Sequence, residues 1–161
     1  MDKVRIGVIG LGGRGFGLMK AVMLPREYVE VAAVCDLYED RCKRAADKVK
    51  EERGTEPYCT NDYKKILADK DIDAVIISTS WTDHIKIAVD SMKAGKYTAC
   101  EVGGAYSVDD CWKLVHTYEE TGVPCMLLEN CCYGRDELMV LNMVKQEMCI
   151  RDRLSTEKTG I

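Results

Sequence analysis

Gly10, Gly12 and Gly15 stand in the run Gly10-Leu11-Gly12-Gly13-Arg14-Gly15, which follows directly on the apolar stretch Val4-Arg5-Ile6-Gly7-Val8-Ile9. A second apolar stretch, Val31-Ala32-Ala33-Val34-Cys35, ends on Asp36, 21 residues beyond Gly15. A strand, a G-x-G-x-x-G turn, a helix and a second strand closing on an acid are the parts of a dinucleotide-binding unit. Gly10 lets the chain turn sharply out of the strand, Gly12 leaves the backbone bare for a pyrophosphate, and Gly15 allows helix and strand to pack closely. The pyrophosphate then rests on the helix N-terminus, where unpaired N–H groups and the helix dipole favour an anion. Asp36 would accept hydrogen bonds from both hydroxyls of the adenosine ribose and repel a 2′-phosphate, which favours NAD over NADP. Arg41 lies close by and could instead meet such a phosphate. The alternative is a ligand-free glycine turn with Asp36 as a helix cap, and the combined strand, helix and acid spacing weighs against it.

The elements that must hold these residues alternate along the chain. Tyr38, Cys42, Ala45 and Val49 recur at helical spacing up to Gly54, Pro57 to Thr60 is a short strand, and Asn61 or Asp62 can cap a brief helix through Leu67. Ile72 to Ser78 is a nearly continuous β-branched run suited to a buried parallel strand. Thr82 to Ala94 places Ile85, Ala88, Val89 and Met92 on one helical face, with Gly95 positioned to stop the helix. Tyr97 to Cys100 is a strand ending on Glu101; Ser107 opens a capping box before Val108, Cys111, Trp112 and Val115 at helical spacing, with Trp112 read as core; Cys125 to Leu128 is a last strand before Glu129-Asn130. Six such alternations predict an α/β fold, a Rossmann-like doubly wound parallel sheet in three αβα layers. Ligands of such sheets bind outside the carboxyl ends of the strands, which singles out Gly10 to Gly15, Asp36, Ser78 to His84, Glu101 to Ala105 and Glu129 to Tyr133.

The 161 residues fit one domain with a real core, and 47% hydrophobic with 31% charged residues is an ordinary globular composition. A net charge of −4 offers no footprint for nucleic acid or an anionic membrane, and no run approaches the ~20 apolar residues of a membrane span. Nine scattered cysteines without a C-x-x-C pair, and only two histidines, predict buried thiols in a reducing, cytoplasmic compartment and no metal site. The adjacent Cys131 and Cys132 invite a redox or metal reading that no second pair supports. A helix over 134–146 is apolar nearly all round through Leu138, Met139, Val140, Leu141, Met143 and Val144, so a second domain or a partner subunit is expected to cover it. The nucleotide-binding domain is therefore expected over 1–146. Residues 147–161 have no amphipathic period and look like translated adapter sequence, a non-native or disordered tail; a short native tail is the alternative.

Over residues 3–146 the chain resembles the N-terminal domain of the Gfo/Idh/MocA oxidoreductases. The resemblance rests on the glycine turn, Cys35-Asp36, Ser78-Thr79-Ser80-Trp81-Thr82-Asp83-His84, Ala94-Gly95-Lys96 with Glu101, and Glu129-Asn130. It implies NAD as cofactor, a sugar or glycoside substrate, homo-oligomers, and a following α+β substrate domain that carries most of the acid–base groups. Members of this family usually carry Glu-Lys-Pro where this chain has Glu101-Val102-Gly103-Gly104-Ala105, so the lysine that assists proton transfer is replaced by Val102. That stretch, with Leu128-Glu129-Asn130-Cys131-Cys132-Tyr133-Gly134-Arg135, is more similar to the NAD-dependent glycosidase branch, glycoside hydrolase family 109, whose activity is α-N-acetylgalactosaminidase. There the resemblance implies oxidation of the sugar C3 hydroxyl, acidification of the C2 proton, elimination of the aglycone, addition of water and return of the hydride. This differs from a paired-carboxylate glycosidase, since the cofactor carries the hard step.

The same resemblance assigns Gly10, Leu11, Gly12, Gly13, Arg14 and Gly15 to the pyrophosphate and Asp36 to the ribose. It places Ser78, Thr79 and Ser80 under the adenosine and its phosphates, lined by Trp81 and His84, with Glu101 beside the nicotinamide ribose. Asn130 and Tyr133 are expected to face the nicotinamide and sugar, with Tyr133 the one catalytic candidate within the chain. From the residues alone, Trp81 either stacks on the adenine or covers the sheet end, His84 is either a ligand or a cap or packing residue, and Tyr133 is either an active-site phenol or a helix-start packing residue. Three functions follow: the NAD-binding part of such a glycosidase, the same part of a sugar or inositol dehydrogenase, or an NAD-binding module without catalysis.

Overall fold

The computed structural model describes residues 3–130 and 132–146, so Cys131 and the expected tail at 147–161 lie outside the described residues. Its contacts divide it into two units, residues 1–128 and 129–161. In the first, β-branched and small apolar runs form β1 (Val4–Ile9), β2 (Val29–Cys35), β3 (Tyr58–Thr60), β4 (Ala74–Ile77), β5 (Tyr97–Glu101) and β6 (Cys125–Leu128). Between them lie α1 (Gly13–Leu18), which runs on through a π-helical turn at Met19–Met23, α2 (Glu39–Arg53), α3 (Tyr63–Ala68), α4 (Trp81–Lys93) and α5 (Val108–Thr121). The second unit carries α6 (Arg135–Lys145), none of whose side chains is buried within that unit.

All six strands are parallel, in the order β3-β2-β1-β4-β5-β6. This is the doubly wound arrangement expected of alternating strands and helices. One cluster, with Val8, Met19, Val34 and Val49, packs α1 and α2 on one face; a second, with Ile9, Ile66, Val75 and Ile87, packs α3 and α4 on the other. Burying each such side chain contributes about 1.5–3 kcal/mol. Boundaries follow local chemistry: Asp62 caps α3 by accepting from the Lys64 N–H at 3.0 Å, Ser107 caps α5 by accepting from the Asp110 N–H at 3.1 Å, and Gly54 ends α2 in the left-handed conformation.

Two expectations need correction. Trp112 is not core but 56% exposed, stacked on His116 with centroids 5.7 Å apart. α5 packs on α4 beside the outer strands, and it is Leu114 and Thr117 that turn inward. Thr117 fits there because its hydroxyl donates to the Lys113 carbonyl at 2.7 Å. The cysteines also divide: Cys35, Cys42 and Cys100 are buried, whereas Cys59, Cys111 and Cys132 are exposed. Cys59 is exposed because β3 is a three-residue edge strand. Burial pushes the Cys35, Cys42 and Cys100 thiols up to about 12, so all three stay protonated at neutral pH.

Lys96, in the turn between α4 and β5, is buried. Its Nζ donates to the carbonyls of Asp69 and Ile72 at 2.5 and 2.7 Å, fixing the segment that leads into β4. Lys96→Met keeps the apolar stem and removes both donors, leaving two carbonyls without their charged partner. A loss of about 2–4 kcal/mol is expected, read as a lower urea midpoint at unchanged slope.

Candidate functional site

The register of the sheet sets Gly10, Asp36, Ser78 and Glu101 in one row. Ile9 pairs with Cys35 on one side and Ile77 on the other, and Ile77 pairs with Cys100, so the next residue of each strand lies at the same level. Two main-chain bonds tie the row: the Gly10 N–H donates to the Cys35 carbonyl and the Ser78 N–H to the Ile9 carbonyl, both at 2.8 Å. Gly10 has a φ of +93°, and a Cβ there would stand 2.5 Å from the Ser78 carbonyl. A Cβ on Gly15 would stand 1.9 Å from the Gly10 carbonyl oxygen, so α1 is seated directly on the end of β1. The outer side of the turn is open by contrast: among the described residues only the Arg41 guanidinium, at 3.9 Å, approaches a Cβ position on Gly12, and none comes within 4 Å of one on Gly13. No side chain caps the first turn of α1.

Asp36 is 8% exposed, and its carboxylate is held from below. Oδ2 accepts from the Leu11 N–H at 2.7 Å, Oδ1 accepts from the Tyr38 N–H at 3.0 Å, and Arg41 Nη1 stands 3.7 Å away while its guanidinium lies over the Tyr38 ring. An ionised carboxylate has about four lone-pair directions, so acceptor capacity remains for two ribose hydroxyls. Beside it opens a cavity of about 550 Å³ lined by Gly10, Gly12, Asp36, Leu37, Tyr38, Arg41, Asn61, Tyr63, Ser78, Thr79, Ser80 and Lys86, among others. That volume suits a nucleoside-sized ligand. Ser78 Oγ is buried with no hydrogen-bond partner, the kind of orphaned polar atom that a ligand satisfies.

The pattern of the sequence does not reveal Tyr63 and Lys86 as part of this wall. The Tyr63 hydroxyl donates to Asp90 Oδ2 at 2.7 Å, and Lys86 Nζ donates to that hydroxyl and to Asp90 at 2.5 and 3.2 Å, which joins α3 to α4 beneath the cavity. The only signal in the sequence is the i, i+4 pair Lys86 and Asp90; the tyrosine reaches it through the fold.

The β4 and β5 ends carry the remaining expected residues. Ser80 precedes α4, its hydroxyl donating to Asp83 Oδ2 at 2.6 Å and lying 2.9 Å from that of Thr82. His84 is buried beneath the loop. Its Nε2 lies 3.2 Å from the Thr79 carbonyl, which can only accept, so Nε2 carries the proton and Nδ1 is left buried without a partner. Trp81 lies over Gly103, where a Cβ would collide with the indole, and does not line the Asp36 cavity. Glu101, 8% exposed, accepts from Arg14 Nε on Oε1 at 2.9 Å, with Arg14 Nη2 also 2.9 Å away, so an ion pair spans from the glycine turn to the end of β5. Asn130 and Tyr133 belong to the second unit, where the Asn130 N–H donates to Glu129 Oε1 at 2.9 Å and Tyr133 stands in the turn before α6. Among the described residues, no group of three or more His, Cys, Asp or Glu side chains is placed to hold a metal ion, and no helix is long and apolar enough to cross a membrane.

A bare glycine turn, an uncapped helix start, a strand-end carboxylate with free acceptor capacity and an orphaned serine hydroxyl fit the pyrophosphate and adenosine ribose of NAD. The comparisons with known proteins agree. A glycosyl hydrolase family 109 protein of Shewanella baltica and glycosyl hydrolase family 109 protein 2 of Akkermansia muciniphila are each 45% identical over 150 residues, covering 91% of this chain and 32% of theirs. The alpha-N-acetylgalactosaminidase of Shewanella oneidensis is 43% identical over the same share. The chain thus spans about a third of the length of the curated relatives it matches. Among solved structures, an NAD-binding protein from Listeria innocua matches with a TM-score of 0.77 at 25% identity, covering 91% of this chain and 40% of that one. The apo scyllo-inositol dehydrogenase of Lactobacillus casei shares the fold, with a TM-score of 0.78 at 18% identity over 90% of this chain and 42% of that one. Residues 4–128 match the model of the Gfo/Idh/MocA oxidoreductase family, NAD-binding Rossmann fold, and the chain belongs to that family.

Proposed function

We propose that this chain is the NAD-binding part of a longer protein that acts on glycosides by transient oxidation at the sugar C3 hydroxyl, elimination of the aglycone and addition of water. The observation that carries the reading is Val102. It follows Glu101 at the end of β5, where a dehydrogenase of this kind would place a lysine, and its isopropyl group can neither give nor take a proton. The names of the relatives at 43–45% identity support the same branch and a sugar as the small-molecule partner.

Bound NAD would supply a hydride acceptor that is restored when the hydride returns to the sugar. The residues of this chain bind and orient. The glycine turn would hold the pyrophosphate at the start of α1, Asp36 would take the adenosine ribose, and Glu101, steadied by Arg14, would take the nicotinamide ribose. The proton-transferring groups belong to the remainder of the protein, with Tyr133 the candidate from this chain.

Asp36→Asn tests the cofactor preference, because it keeps the size of the side chain and removes its charge. NAD affinity is expected to fall about tenfold and the preference over NADP to narrow, both read by calorimetric titration. An unchanged preference would remove Asp36 as its source. For the reaction, the gene extended past Gln146 from source DNA is expressed, and the full protein with NAD+ is given an α-N-acetylgalactosaminide chromogen. Chromophore release without net NADH is expected. Silence there, with NADH formed from free sugars or polyols, would assign a dehydrogenase, and NAD binding with neither would leave a module without catalysis.

A further inference from the structure

Cys42 and Cys59 lie beside Asp36 on the α2 face of the sheet, outside the lining of the cavity, whereas Cys35 packs on the other face. Cys35 ends β2, Cys42 projects from α2 and Cys59 lies on β3. Cys42 Sγ accepts the Asp36 N–H at 3.1 Å and, as a donor, reaches the Thr60 and Asp36 carbonyls at 3.2 and 3.7 Å. Cys59 pairs in register with Val34, which shares a core cluster with Cys42, so the Cys59 side chain stands on the α2 face of the sheet, next to the residue whose carbonyl the Cys42 thiol reaches. Cys42 is buried and Cys59 is exposed, so the pair has one thiol open to solvent and one attached to the backbone of the ribose-binding acid. The strand that carries Cys59 is three residues long, lies at the sheet edge and pairs only with β2, so it can move without disturbing the centre of the sheet. Cys100 and Cys125 also share one face of the sheet, but Cys125 pairs with Thr98, Cys100 is buried and neither is exposed.

We propose that Cys42 and Cys59 form an oxidisable pair: a small-molecule disulfide such as oxidised glutathione converts them to a disulfide, which draws Cys42 Sγ away from the Asp36 N–H and weakens NAD binding. Cys59, the accessible thiol, attacks one sulfur of the small disulfide and releases the first small thiol. Cys42 then attacks the Cys59 sulfur of the mixed disulfide and releases the second. The two protein thiols lose two electrons, the small disulfide gains them, and the two protons end on the two released thiols. Burial holds the Cys42 thiol at about 12, which places it second, acting only on a sulfur already at its side. Disulfides of reducing compartments are commonly of this transient, sensing kind.

The affinity readout rests on the NAD-binding reading, so the test follows two signals on the chain as it stands. Reduced and glutathione-disulfide-treated protein are digested with Glu-C, mapped by mass spectrometry and titrated with NAD. A linked peptide joining Cys42 to Cys59 is expected, with an NAD dissociation constant raised about tenfold, as for the loss of one buried hydrogen bond, and restored by dithiothreitol. Cys59→Ser is expected to bind NAD normally when reduced and to be indifferent to the oxidant. Absence of the linked peptide overturns the pair whatever the NAD result. A linked peptide with unchanged affinity, or a Cys59→Ser protein that loses affinity on oxidation as the parent does, overturns the coupling to Asp36. Failure of the reduced protein to bind NAD overturns the cofactor reading and, with it, the regulatory role of the pair.

Discussion

The seating of Gly15 on the Gly10 carbonyl oxygen is the contact on which the rest of the site depends. A side chain at Gly15 would force α1 off the end of β1, and one at Gly10 would collide with the Ser78–Thr79 backbone beyond β4. The approach is possible only because the same turn has glycine where φ is positive and where the helix begins. Everything else in the site is arranged around that fixed edge. Ser78 packs from the neighbouring strand, and Asp36 reaches back to the Leu11 N–H, so the acid at the end of β2 also braces the glycine loop.

Charge at the site is organised by short ties. Asp36 is steadied mainly by two backbone N–H groups, with Arg41 more distant, while Glu101 is steadied by Arg14 from the glycine turn itself. Two acids, at the ends of β2 and β5, are therefore both oriented by the same six-residue loop. The indole of Trp81 fills the space above Gly103, next to Val102 at the end of β5.

Much of this was legible in the residues because the requirements are local. A missing Cβ, a carboxylate at a strand end and a β-branched run bounded by glycine each state a backbone need at the place where it arises, and the six strands and most helix ends follow from them. What was illegible depends on packing at a distance. Tyr63 joins Lys86 and Asp90 only once α3 is laid beside α4, and Arg14 meets Glu101 across 87 residues of chain. Trp112 shows the other limit: apolar spacing tells which residues share a face of α5 but not whether an outer strand is broad enough to cover it. Cys59 was read as buried because it belongs to a strand, and its exposure follows from that strand being a short edge.

The order of strands has a consequence for how the chain comes into being. β1 is central in the sheet and precedes the other five described strands along the chain; β2 can join it soon after, whereas its other partner, β4, begins only at Ala74. Until then one flank of an apolar, β-rich strand has no partner, and closing that flank carries the entropy of a long loop. Until β4 is in place that apolar flank is open to association with other chains. Of the described strand pairs, β1 with β4 encloses the most chain, so the strand on which α1 is seated is completed by the longest closure in the sheet.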